Sequence, residues 1–281
     1  MLIGMHVSAA GKLENAPKNA AELGCETFQF YTRSPQGGPA AKIDDAVAKK
    51  FRTACESQGF KRYAIHAPYY VNFASQDPKI RHASIGVIRQ ELERGSMLGA
   101  ESLMTHLGSA RGTDDRRTAV KTTIKALNEV LDGYRGTTRF LIEIAAGSGL
   151  VLGSTFEEIA EIVDALKVAP GALPVGVCFD TQHAFASGYD LRTKPAVEAT
   201  LKKLDKTVGL ERVVMSHAND SKPALGERKD RHEHIGLGQI GLEGFRTLVN
   251  HPKTQHWLFM LETPKDGKER QDIETLKSLR A

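Results

Sequence analysis

RYAIHAPYYVNFASQDPKIRHASIGVIRQELERGSMLGAESLMTH, residues 62–106, holds two short apolar runs that each close on a histidine, His66 and His106, with a longer amphipathic segment between them. The alternation continues in both directions. Short β-branched or apolar runs occur at Leu2–Val7, Thr27–Tyr31, Arg62–His66, Ser102–His106, Arg139–Glu143, Val175–Asp180, Arg212–His217 and Trp257–Glu262, and each reads as a strand. Between them lie helical patterns, such as Asp44–Gln58 and Asp114–Leu131, with apolar positions at three- and four-residue spacing. Eight strand-helix alternations predict a closed parallel (β/α)8 TIM barrel rather than an open doubly wound sheet. The 281 residues suit one such barrel, which takes about 250, so a single domain over residues 1–281 is expected. The longest irregular segment, Ala218 to Gly241, is long enough to predict a functional loop.

Composition narrows the class. Hydrophobic residues at 41% and charged residues at 26% describe a globular chain with a sizeable core and argue against disorder. No apolar run approaches the roughly 18 residues of a membrane span, and MLIGMHVSAAGKLEN lacks a basic region followed by a hydrophobic stretch, so no membrane partner and a cytoplasmic address are expected. Cys25, Cys55 and Cys178 are too scattered for a disulfide framework or a thiolate zinc site and read as small buried apolar residues. A net charge of +4 suits a polyanionic partner without demanding one.

The chemistry lies at the ends of the runs. From the third onward they close on His66, His106, Glu143, Asp180, His217 and Glu262, every one a metal-ligand type, at separations of 40, 37, 37, 37 and 45 residues. Those are the separations of successive βα units, and residues at the C-terminal ends of barrel strands converge on one mouth. One His or Asp at a strand end is ordinarily a capping residue; six in register are a constellation. His183, three residues past Asp180, and the pair Asp230 and His232 in the long loop bring the set to nine, more than one ion needs. By spacing alone His234 would serve nearly as well as His232. Imidazole and carboxylate without thiolate suit zinc or manganese, and a carboxylate such as Glu143 can bridge two ions. His6 reads as a support behind the ligands, and His82, His251 and His256 as solvated or structural. The glycine-rich Ala146–Gly153 lacks the Gly-Lys-Ser/Thr of a phosphate loop and reads as a flexible barrel loop.

IGMHVSAAG (residues 3–11), CFDTQHAFASGYDLRT (Cys178–Thr193), SHANDSK (Ser216–Lys222) and DRHEHIGLGQIG (Asp230–Gly241) closely resemble the signature segments of the endonuclease IV family of abasic-site endonucleases, and the resemblance covers essentially the whole chain. It implies three zinc ions per chain, with manganese as an alternative at one or more sites. His66 and His106 would hold one ion, Asp180, His217 and Glu262 a second, Glu143 would bridge these two, and His183, Asp230 and His232 would hold the third. His232, not His234, falls on the family's ligand position. The implied partner is double-stranded DNA containing abasic sites, cut on the 5′ side to leave a 3′-hydroxyl by a monomer with Glu143 at the catalytic centre. Tyr69 matches the family's aromatic wedge and Asn72 also fits, while Lys222, Arg228 and Arg231 are candidate phosphate contacts. One departure stands out: TRSPQGGPA (Thr32–Ala40) places Gln36 where the family carries an arginine.

Two rivals remain at this level. A sugar isomerase or epimerase on the same barrel would use Glu143, Asp180, His217 and Glu262 around a single divalent ion, and would have no need of His66, His106, His183, Asp230 and His232. A catalytically silent DNA-binding barrel would not need the full ligand set.

Overall fold

All eight expected strands form, and hydrogen bonding closes them into one parallel barrel in the computed structural model of the chain, which describes residues 1–113 and 115–281. The strands are β1 (Leu2–His6), β2 (Thr27–Phe30), β3 (Ala64–His66), β4 (Ser102–Thr105), β5 (Arg139–Glu143), β6 (Gly176–Cys178) and β7 (Val213–His217); the short β8 (Asp220–Ser221) and β9 (His232–Glu233) form a separate ladder, and β10 (Leu258–Leu261) closes the barrel against β1. The helices are α1 (Asn15–Glu22), α2 (Asp45–Ser57), α3 (Pro78–Leu98), α4 (Arg116–Leu131), α5 (Phe156–Asp164), α6 (Thr181–Ala186), α7 (Lys194–Thr207), α8 (Gly241–Asn250) and α9 (Glu269–Ser278). Among the described residues, no helix is long and apolar enough to cross a membrane.

Alternation along each strand builds two cores. Ala64, Met104, Leu141, Cys178, Met215, Leu258 and Met260 form a cluster of their own inside the barrel, while their neighbours Ile65, Leu103, Ile142, Val177 and Phe259 join the larger core packed against the helices. The inner cluster is rich in sulfur side chains, whose flexibility lets them fill an irregular space beneath the mouth.

Boundaries differ from the sequence expectation for local reasons. β3 starts at Ala64, and ahead of it the Arg62 carbonyl accepts from the Thr27 hydroxyl at 2.7 Å instead of from a ladder N–H. β6 stops at Cys178 because Asp180 leaves the sheet to cap α6, its Oδ1 accepting the His183 N–H at 2.7 Å. The helix expected over Asp44–Gln58 runs inside those limits with Asp44 as its cap, accepting from the Val47 N–H at 2.9 Å. The helix expected over Asp114–Leu131 begins at Arg116 with Asp115 as its cap, and Asp114 lies outside the described residues. The segment from Ala218 to Gly241 is not wholly irregular, since β8 and β9 pair within it, Ser221 opposite His232. Nor is the Ala146–Gly153 loop free: Ala110 N–H donates to the Leu150 carbonyl and Leu152 N–H to that of Gly108, tying it to the loop after β4. Cys55 and Cys178 are buried as expected, while Cys25 is only partly so.

Candidate metal centre

The strand ends deliver their side chains to one place. Ligand atoms of His66, His106 and Glu143 lie within 4.8 Å of one another, as do those of Glu143, Asp180, His217 and Glu262, and those of Asp180, His183 and His232. Three donor groups therefore adjoin, and two carboxylates are shared: Glu143 by the first and second, Asp180 by the second and third. Asp230 meets the third group through His183 Nε2 at 3.3 Å and His232 Nε2 at 3.5 Å. Double membership of Asp180 was not legible in the sequence. It arises because Oδ1 is spent capping α6, which aims Oδ2 at His217 (3.8 Å) and His232 (3.8 Å).

Three of the imidazoles are oriented from behind by a backbone carbonyl. His66 Nδ1 faces the Ala67 carbonyl at 2.5 Å, His183 Nδ1 that of Ile144 at 2.9 Å, and His232 Nδ1 that of Glu262 at 2.9 Å, so each presents Nε2 to the centre. His217 is turned the other way. Its Nε2 donates to Gln29 Oε1 at 3.0 Å, and Nδ1 faces Glu143 Oε1 at 2.6 Å. His234 is directed away from the centre, between Asp272 (2.8 Å) and Asp266 (3.2 Å). His6 is a support, its Nδ1 3.1 Å from Gln29 Nε2 and 3.4 Å from Glu262 Oε1. His82, His251 and His256 make local contacts, to the Pro78 carbonyl, the Lys253 N–H and the Val213 carbonyl.

A test of fit comes from the buried polar atoms that lack a hydrogen-bond partner. Four of those found among the described residues are His66 Nε2, Glu143 Oε2, His183 Nε2 and His232 Nε2, all aimed into the same centre. Leaving one such atom unpaired costs about 1–3 kcal/mol, and cations removes that cost for all four at once. Electrostatics agree. Burial opposes ionisation of Glu143, yet His217 and His106 hold its carboxyl well below the usual range; burial likewise opposes Glu262, and His217 and His6 hold it low. Burial pushes Asp180 up, while His183, despite burial, is raised well above the ordinary imidazole value by Asp180 and Asp230. Crowded carboxylates facing His183 and His217, both raised well above the ordinary imidazole value, are a site short of positive charge, while burial pushes His66 down to about 3 and keeps it neutral. Cys178 also comes close to Glu143 and His217, but burial pushes its thiol up to about 12, so it stays neutral.

Two amides escaped the sequence reading, because an amide carries no ligand signal. Gln29, fully buried on β2, links two candidate ligands: it accepts from His217 and donates from Nε2 to Glu262 Oε1 at 2.9 Å. Asn219 donates to Asp180 Oδ2 at 2.8 Å and accepts the Glu262 N–H at 2.7 Å. Replacing Gln29 with Leu is expected to weaken zinc affinity by about 10–100-fold, because supporting hydrogen bonds fix tautomer and aim. Zinc titration against a competing chelator checks it, and an unchanged affinity would show that Gln29 only fills space.

The surroundings suit a polyanion. A cavity of about 1040 Å³ opens beside the centre between the loops after β1 and β2, its wall including Glu262, His232 and the cations Lys12, Lys42, Lys50 and Lys265. Tyr69 is 60% exposed, its ring 5.1 Å from that of His66. Lys222, Arg228 and Arg231 are exposed on the loop between β8 and β9. Asn72 is occupied inside the protein: Oδ1 accepts from Ala74 and Ser109 N–H at 3.1 and 3.2 Å, which ties the Tyr69 loop to the loop after β4. The Thr32–Ala40 loop is clamped at both ends by Arg94, which donates to the Thr32 and Ala41 carbonyls at 2.6 Å each, leaving Gln36 exposed at its turn.

An eight-stranded parallel barrel with ligands at its mouth defines the class: a family model described as xylose isomerase-like TIM barrel matches residues 17–281. The chain belongs, within that class, to the endonuclease IV family. It is 40% identical over 283 residues to the probable endonuclease 4 of Solibacter usitatus, covering 99% of this chain and 97% of that one, and 38% identical to that of Methanoculleus marisnigri over 100% and 98%. It also superposes on endonuclease IV from Thermus thermophilus with a TM-score of 0.86 at 32% identity, covering 99% of this chain and 98% of that one. A D-tagatose 3-epimerase-like protein superposes with a TM-score of 0.74 at 20% identity and shares the fold.

Proposed function

We propose that the chain hydrolyses the DNA backbone on the 5′ side of abasic sites, as a monomer, with three zinc ions held by the nine side chains at the barrel mouth. The observation that carries this reading is the set of three adjoining donor groups sharing Glu143 and Asp180, in a member of the endonuclease IV family. His66 and His106 would hold one ion, Asp180, His217 and Glu262 a second, with Glu143 shared by these two, and His183, Asp230 and His232 the third, with manganese as the alternative metal. When bound, the ions supply Lewis acidity, lowering the pKa of water and neutralising charge on the phosphate and the leaving oxygen.

The chain's own groups supply position. Glu143 lies between the first two groups with Oε2 unpartnered, where it orients the attacking water. Water adds to phosphorus in line with the bond to O3′; that bond breaks, the 3′ oxygen leaves with a proton, and the abasic residue keeps its 5′ phosphate. Lys222, Arg228 and Arg231 pair with flanking phosphates and Tyr69 enters the gap left by the missing base. Asn72 contributes by holding the loop that carries Tyr69.

A labelled duplex containing one tetrahydrofuran abasic analogue tests this. The expected product ends in an extendable 3′-hydroxyl immediately before the lesion, and intact duplex stays uncut under the same conditions. The competing reading is a one-ion sugar epimerase, favoured by the compactness of the Glu143, Asp180, His217 and Glu262 group on its own. Ketose epimerisation without DNA cleavage would establish it instead.

A further inference from the structure

Residues Gly236-Leu-Gly-Gln-Ile-Gly241 spell G-x-G-x-x-G and lead directly into α8, the spacing of a dinucleotide loop whose backbone N–H groups cradle a phosphate. Here the cradle is filled from within. Asp220 is fully buried; its Oδ2 accepts from the N–H groups of Gly236, Gly238 and Gly241 at 2.9, 3.1 and 3.2 Å, and its Oδ1 from those of Ile240 and Ser221 at 2.9 and 2.8 Å. A Cβ at position 238 would stand 2.5 Å from Asp220 Oδ1, so the fit requires glycine there. Five donors on one carboxylate form a strong anion nest, reinforced by the positive end of α8.

The nest stands at both sides of one candidate ligand. The backbone of Asp220 is on β8, opposite Glu233, and the next residue, Ser221, is opposite His232. Its side chain grips the residues that follow β9. His232 is thus fixed from before by the ladder and from after by the nest, and Asp230, two residues earlier, enters the site on the same hairpin. The other groups draw their ligands from barrel strands and the residues just beyond them; this one depends on the hairpin.

We propose that Asp220 is a positioning residue that builds the third metal position, its carboxylate serving as the internal anion that locks His232 and Asp230 in place. The inference rests on the three-ion reading above. Asparagine at 220 offers one acceptor oxygen where five donors converge, so at least two N–H groups would face its amide hydrogens. Asp220→Asn is expected to hold two ions as the parent does while affinity for the third falls about 10–100-fold, as is typical when a supporting partner is lost.

The experiment titrates zinc into the stripped parent, Asp220→Asn and Gly238→Ala, reading ions per chain by elemental analysis and folding by circular dichroism. Asp220→Gly is titrated with and without formate, a carboxylate small enough for the nest, with formamide as the control. Selective loss of one ion in both nest variants, with its return in formate but not formamide, supports the proposal. An undiminished third affinity in Asp220→Asn overturns it, and so does loss of all three ions together, which would make the nest a folding device alone. A parent that binds only one ion defeats the three-ion reading, and this inference with it.

Discussion

Glu143→Gln is expected to lower the rate of abasic-duplex cleavage by about 100-fold or more, equivalent to about 2.7 kcal/mol or more of lost transition-state stabilisation, while the barrel stays folded. The carboxylate belongs to two donor groups at once, so its loss disturbs both; glutamine keeps the volume but offers one acceptor instead of two. The fold has little stake in it. Glu143 lies at the C-terminal end of β5, above the apolar interior formed by Met104, Leu141, Met215 and Met260, and an amide there relieves repulsion among Glu143, Asp180 and Glu262. Single-turnover cleavage of the tetrahydrofuran duplex, with thermal unfolding run beside it, separates the two effects. Near-parental turnover would remove Glu143 from the chemistry, and a collapsed melting transition would make the loss uninformative about catalysis, in which case His106→Asn, on the half-exposed rim of the first group, carries the same test.

Tyr69→Ala is expected to erase most of the preference for abasic over intact duplex, whereas Gln36→Ala leaves it nearly intact. Stacking of an aromatic ring on a base is worth about 1–3 kcal/mol, so discrimination should fall roughly 5- to 150-fold. Tyr69 is well placed for that, exposed directly beside His66. Gln36 sits on a turn whose next two residues, Gly37 and Gly38, have φ of 110° and 95°, between ends clamped by Arg94. That segment is a short, pinned turn whose cation, Arg33, is held by Glu91 at 2.7 Å, and it carries no bulky ring to insert. Binding of both variants to both duplexes must be compared at matched salt, because phosphate contacts make affinity strongly salt-dependent. Equal loss of discrimination in the two variants would mean that the Gln36 turn reads the lesion after all.

Much of this was legible in the chain because one physical signal was written twice. The βα period that makes a barrel also spaces His66, His106, Glu143, Asp180, His217 and Glu262, so fold and candidate site were read from the same positions. What stayed hidden depends on where a side chain points. Asp180 and Glu262 look like strand ends, yet each lies just beyond its strand, and only the capping of α6 aims Asp180 at two groups. His232 and His234 are indistinguishable by spacing; the structure separates them by turning His234 to Asp272 on α9. Gln29, Asn219 and Asp220 are residue types common in any sequence, and their importance appears only once long-range contacts bring them behind the ligands.

The central claim is that nine converging side chains form three metal positions rather than one. Elemental analysis of the purified chain after exhaustive dialysis tests it most directly. The account predicts about three transition-metal ions per chain, with zinc foremost; a single ion per chain, accompanied by sugar epimerase activity, would contradict it.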